Sequence, residues 1–140
     1  GCALIICNGE GQNPILELSK GGRHTIFKPN ETPLSARKKW IAAGLKISGK
    51  LIVDSGASKA LTNGSSLLPA GVVKIEGNFE KGDLIEICTQ DGRKIASGLS
   101  SYNSQEINII AGNKTRDIEG LLGYVGRDEL IHRDDLVLKK

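Results

Sequence analysis

Asp54 sits in LIVDSGAS, residues 51–58, where apolar residues run into Asp, Ser, Gly and Ala. That order has the form of an aspartic-protease active strand of the retroviral type, with Asp54 as the catalytic carboxylate. A chain of 140 residues would complete such a site only with Asp54 of a second copy, because the acid–base work needs two carboxylates sharing one proton. GLLGYVGRDEL, residues 120–130, imitates the apolar-apolar-Gly segment that such a protease carries near its carboxyl end. The simpler reading makes Asp54 or Ser55 the cap of a helix ending at Gly64. Short motifs of this kind recur by chance, and the cap is the preferred reading.

Three other stretches invite chemistry. NGSSLLPAGV, residues 63–72, has small residues that let backbone amides approach a phosphate, but the chain contains neither GxxxxGK[ST] nor GxGxxG. GEGQNP has Pro14 where a third glycine would be required. The structural alternative is a loop that turns a helix into a strand and buries Leu67 and Leu68. Arg37-Lys38-Lys39-Trp40 could touch phosphates, or could be the solvated face of a helix whose Trp packs inward. His132-Arg133-Asp134-Asp135 contains a His–Asp pair with no nucleophile elbow to serve, and reads as polar residues on an end strand.

The elements that position these residues follow from pattern and punctuation. Residues 1–28 read as a strand over Ala3–Asn8, a turn at Gly9 and Gly11, a helix over Pro14–Ser19, Gly21-Gly22 and a strand over Thr25–Phe27. One strand–helix–strand stretch cannot cover both sheet faces, so it is expected to belong to a larger sheet. Thr32-Pro33 opens a linker helix over 33–43, with Leu34, Ile41 and Leu45 on one face. Strands are predicted at Lys50–Asp54, Val72–Glu76, Leu84–Cys88 and Lys94–Leu99, the last two joined through Asp91-Gly92 in a primed turn. Helices are predicted over Ala57–Asn63, from Asn103 to Gly112 with Glu106 as capping-box partner, and over Arg116–Leu122. A final strand is placed over Leu130–Leu138. Together they predict an α+β fold, a small mixed β-barrel with short helices at its openings.

Composition sets the outer bounds. Nineteen Lys and Arg against sixteen Asp and Glu leave a charge of +3, with no basic arm. One Trp, two Tyr and two Phe imply an aliphatic core and few platforms for base stacking. The apolar run Ala3–Cys7 falls far short of the ~20 residues that span a bilayer, so no membrane partner is expected. Gly1 in place of Met, without a basic start or a cleavage site, reads as an excised piece lacking a signal peptide. Cys2, Cys7 and Cys88 with two histidines support neither a disulfide framework nor a metal site, and fit a reducing compartment.

PLSARKKWI, SLLPAGV, EGNFEKGD, DGRKIASGL, YNSQEI, NIIAGNKTRDIEGLLGY and IHRDDLVL, read in order, resemble the C-terminal third of the bacterial glutamate 5-kinase family across nearly the whole chain. The resemblance implies that residues 1–28 end an amino-acid-kinase domain, that 29–46 form a linker and linker helix, and that 47–140 form a PUA domain with a C-terminal extension. It implies a cytoplasmic, homo-oligomeric parent that phosphorylates L-glutamate with ATP and Mg²⁺ at the start of proline synthesis. The phosphate- and glutamate-binding loops of that family match no position here, so no catalytic residue, metal or cofactor is assigned to this piece. It is expected to be inactive alone, an accessory or regulatory domain beside the upstream kinase domain. The family strand normally ends in Asp, an acidic residue, Gly and Ala; Ser55 departs from this and produces the protease look-alike. PUA domains usually bind RNA, and the resemblance places phosphate contacts at Lys59, Ser65, Ser66, Gly71 and Lys74, on and after the helix 57–63. Two lysines would give only weak, salt-sensitive binding.

Overall fold

A computed structural model describes residues 1–44 and 46–139, which divide into two compact units, Gly1–Arg37 and Lys38–Lys140. Leu45 of the expected helix face lies outside the described residues.

In the first unit β1 (Leu4–Cys7) pairs antiparallel with β2 (His24–Phe27), from Leu4 opposite Phe27 to Cys7 opposite His24. Between them α1 (Pro14–Ser19) starts on a proline that needs no amide partner and stops at Gly21. Gly21 takes φ +86°, and the amides of Gly21 and Gly22 return to Leu18 and Glu17 carbonyls at 3.0 and 2.8 Å. Alternation puts Leu4, Ile6 and Phe27 on one face of this hairpin and Ile5 and Ile26 on the other, so both faces are apolar and exposed within this unit. α2 (Pro33–Gly44) follows, its first turn held by the Thr32 hydroxyl, which accepts from the Ser35 amide at 3.2 Å.

The second unit is built on a five-stranded mixed sheet in the order β4 (Val72–Gly77), β3 (Ile47–Val53), β5 (Leu84–Thr89), β6 (Lys94–Leu99), β7 (Leu136–Leu138). β3 and β5 are parallel and every other pair is antiparallel. Leu51, Val53, Ile85, Ile87 and Ala96 point from this sheet into the core. Leu61 meets them from α3 (Ser55–Thr62), Ile107 and Ile110 from α4 (Ser104–Ile110), and Ile118 from α5 (Ile118–Leu122). The core is aliphatic as expected, with Phe79 and Tyr102 as its buried aromatics. The capping box of α4 forms as its spacing predicts: Asn103 Oδ1 accepts from the Glu106 amide at 2.9 Å and Glu106 Oε2 from the Asn103 amide at 3.0 Å.

Several expectations are corrected. The long last strand breaks in the middle: Ile131 bridges Leu67, Arg133–Asp135 form a 3₁₀ turn, and only Leu136–Leu138 join the sheet. Side chains take the amides that a ladder would use, since Arg133 N–H donates to Ser66 Oγ at 3.0 Å and Asp134 N–H to His132 Nδ1 at 3.2 Å. Trp40 does not pack inward; it is 57% exposed while its neighbour Ile41 is buried. Leu68 is exposed beside buried Leu67. The helix expected over Arg116–Leu122 is a 3₁₀ turn at Thr115–Asp117 followed by α5, which holds Gly120–Leu122 of the protease-like segment.

Candidate functional site

Parallel pairing brings the carboxyl ends of β3 and β5 side by side, with Val53 opposite Thr89. α3 leaves one strand and the β5–β6 hairpin leaves the other, and an open cleft of about 680 Å³ lies between them. Its floor is Val53, and its walls are the Ser55, Ser58, Lys59 and Thr62 face of α3 and the hairpin residues Thr89–Asp91 and Arg93. Residues four apart on a helix share a face, which places Ser55, Lys59 and Ser58, Thr62 together.

Asp54 fixes the helix wall. Its backbone is extended, its Oδ1 accepts from the Ala57 amide at 2.7 Å, and its own amide donates to the Gly71 carbonyl at 3.0 Å. This is the cap reading of DSGAS, and the carboxylate is occupied by a structural bond. At the other end the Gly64 and Ser65 amides return to the Leu61 and Ala60 carbonyls at 2.9 and 3.0 Å with Gly64 at φ +85°, the glycine stop expected there.

The hairpin wall departs from the expected primed turn. Gly92 alone takes positive φ, at +82°, and no non-glycine residue does so among the described residues. A two-residue primed turn needs Asp91 there too, so the chain closes instead through three residues, with Thr89 N–H donating to the Arg93 carbonyl at 3.0 Å and Gly92 N–H to the Thr89 carbonyl at 2.9 Å. The Thr89 hydroxyl donates to the Arg93 carbonyl at 3.1 Å and stands near the Asp91 carboxylate. Its bond to Asp91 is the largest cause holding that carboxyl below the usual carboxylate range, followed by the Asp91 amide, with the Arg93 charge adding to them.

Of the residues singled out for phosphate contact, Lys59 lines this cleft and the others do not. The Ser65 amide is used in the helix stop and the Gly71 amide donates to the Leu68 carbonyl at 3.2 Å. Ser66 Oγ accepts from Arg133, and Lys74 on β4 holds Glu76 at 2.8 Å. Gly71 has a packing role, because a Cβ there would stand 2.4 Å from Ala57 Cβ. Arg93, Gln90 and Asp91 were not singled out as site residues, since their place opposite α3 depends on a parallel register between strands distant in sequence. The one signal available was the Asp91-Gly92 turn, which marks a loop but not what it faces. Neither Lys59 nor Arg93 has a carboxylate at ion-pair distance among the described residues. No group of three or more His, Cys, Asp or Glu residues among them is placed to hold a metal, and no helix among them is long and apolar enough to cross a membrane.

The chain is 49% identical over 138 residues to the glutamate 5-kinase of Agrobacterium fabrum, a match covering 99% of this chain and 36% of that protein. It is 50% identical over 138 residues to the glutamate 5-kinase of Rhodospirillum rubrum, covering 99% of this chain and 37% of that one. It therefore spans little more than a third of the length of the curated relatives it matches. Among solved structures, a PUA domain from Aeropyrum pernix K1 aligns with 81% of this chain and 52% of its own, at 22% identity and a TM-score of 0.47. The archaeal box H/ACA sRNP Nop10–Cbf5 complex aligns over 66% of this chain and 23% of its own, at 25% identity and a TM-score of 0.44. The family model for the PUA domain matches residues 49–122, which run from within β3 to the end of α5 and take in both walls of the cleft, and the chain belongs to the PUA domain family.

Proposed function

We propose that this chain is the carboxyl-terminal part of a glutamate 5-kinase, in which residues 1–28 end the amino-acid-kinase domain, 29–46 link, and 47–140 form the PUA domain with its extension. The PUA domain acts there as an accessory domain that tunes or assembles the kinase and takes no part in phosphoryl transfer. The observation that carries this reading is the reach of the similarity: identity near one half extends over 138 residues, well beyond the PUA match at 49–122. The first unit supports it. A hairpin apolar on both faces suits a sheet covered on both sides, as in α/β kinase domains, better than one with a face in water.

The whole enzyme would transfer the γ-phosphoryl group of ATP to the side-chain carboxyl of L-glutamate, with Mg²⁺, in the cytoplasm. The residues described do not fit Mg²⁺–ATP: no Gly-rich loop with a Lys cradles phosphates, and no carboxylates converge with them. The chemistry thus belongs to the kinase domain upstream. The test compares the parent enzyme with and without residues 30–140 for glutamyl phosphate formation, proline inhibition and oligomeric state, beside the 140-residue chain alone. The chain alone should form no glutamyl phosphate, and the truncated enzyme should keep turnover while inhibition or assembly changes. Turnover by the chain alone would overturn the reading, as would a truncated enzyme unchanged in all three measures.

A second reading, an RNA-binding module, is favoured by one observation: Lys59 and Arg93 open together into the cleft, and among the described residues no carboxylate stands at ion-pair distance from either.

A further inference from the structure

The cleft between α3 and the β5–β6 hairpin carries charges of both signs, Lys59 and Arg93 against Asp54 and Asp91. Asp54 is committed to the Ala57 amide, whereas Asp91 stands exposed on the opposite wall. The Thr89 hydroxyl and the backbone hold the Asp91 carboxyl below the usual carboxylate range. A pure anion entering here would meet Asp91 and Asp54 as well as the two cations, and a pure cation would meet Lys59 and Arg93. Only a ligand with both signs finds a partner for each.

We propose that this cleft binds a small zwitterion of the α-amino acid class, its carboxylate between Lys59 and Arg93 and its ammonium group toward Asp91. Arg93 offers a carboxylate two parallel N–H donors, and Lys59 a point charge from the facing wall. Ser58 and Gln90 supply neutral polar groups beside these charges. The volume of about 680 Å³ falls within the ~300–1,000 Å³ usual for small-molecule sites. The inference goes beyond the kinase reading and does not rest on it, because it uses only residues of the PUA domain.

The test is an amide NMR titration of the isotope-labelled chain with each standard α-amino acid, and with acetate, methylammonium and inorganic phosphate as probes of one sign. At least one amino acid should shift the amides of residues 54–63 and 89–93 saturably, with a Kd of about 1 mM or tighter. The probes of one sign should bind at least tenfold more weakly. Lys59→Ala, Arg93→Ala and Asp91→Asn should each weaken the amino acid tenfold or more while the core amides of Leu51 and Ile107 stay in place. Should Asp91→Asn disturb the hairpin, Asp91→Ser keeps a turn-forming side chain and serves instead. The proposal is overturned if no amino acid saturates by about 10 mM, tenfold above that mark. It is equally overturned if phosphate binds as tightly, or if removing the Asp91 charge leaves affinity unchanged or raises it, either of which marks a plain anion site.

Discussion

Tyr124 donates its hydroxyl to Glu106 Oε1 at 2.6 Å while the other oxygen of the same carboxylate accepts from the Asn103 amide at 3.0 Å. One side chain thus caps the start of α4 and anchors the segment that follows α5, coupling a local helix signal to a tertiary contact. The bond to Glu106 is the largest cause that pushes the Tyr124 phenol up to about 12, with burial and the Glu106 charge adding to it.

Tyr124→Phe should cost about 0.5–1 kcal/mol in urea unfolding at neutral pH, the lower part of the range because the side chain is partly exposed. The sign of the pH effect is fixed by the raised pKa. Such a group contributes stability in full below its unfolded value near 10 and loses it as pH rises toward about 12. The native chain should therefore lose stability across that window more steeply than Tyr124→Phe. Parallel curves would show that the bond does not couple to folding.

Asp54→Ala should cost about 1 kcal/mol, because an orphan amide of α3 loses its acceptor, and Asp54→Asn clearly less, because an amide oxygen caps as well as a carboxylate. Denaturant midpoints of the two variants decide this. Equal losses would mean that the charge, not the cap, is what matters at Asp54.

What was legible in the sequence was whatever a few consecutive residues settle. Asn103 and Glu106 at capping-box spacing, Gly64 as a helix stop and the Asp54 cap need no knowledge of the rest of the fold. The break in the last strand was hidden because Leu130-Ile131 and Leu136–Leu138 carry strand-like residues on either side of it. What interrupts the ladder is Ser66, sixty-seven positions from the amide it accepts. Trp40 shows the same limit from the other side: helical spacing marks a face, but the neighbour that covers Ile41 and leaves Trp40 in water is set by packing. The cleft was illegible for a topological reason. β3 pairs with β5 and not only with the adjacent β4, and that parallel register alone brings Lys59 and Arg93 to one opening.

Gly71→Ala should destabilise by about 1–3 kcal/mol, the usual range for overpacking, since the new methyl would meet Ala57 Cβ at 2.4 Å. The double change Gly71→Ala with Ala57→Gly removes the clash and should recover part of the loss, less the cost of a helical glycine. No recovery in thermal unfolding would place the strain elsewhere.

Glu86 lies between two cations on the outer face of the sheet, Lys94 at 2.9 Å and Lys50 at 3.9 Å. The bond from Lys94 is the largest cause holding its carboxyl below the usual range, while burial works against it. A lowered pKa contributes stability above the unfolded value near 4.3 and loses it as pH falls through the folded one. Glu86→Gln should then cost about 0.5–1 kcal/mol at neutral pH, and the gap to the native chain should close in acid and shrink in high salt. A gap that persists at low pH would point to packing and not charge.

RNA binding is expected to stay in the non-specific range, with a Kd of about 10⁻⁴ to 10⁻⁶ M and a salt slope between about one and two. Lys59 is available in the cleft, but Asp54 and Asp91 stand in the same walls and repel a phosphate backbone. Lys74 must leave Glu76, 2.8 Å away on the same strand, before it can reach a phosphate. The net charge of +3 adds little long-range attraction. Filter binding or fluorescence anisotropy with a structured RNA, repeated over a range of salt, checks this. Sub-micromolar affinity at physiological salt, lost in Lys59→Glu, would put the RNA reading ahead of the accessory one. It would also mean that the two carboxylates of the cleft are turned away from the ligand rather than toward it.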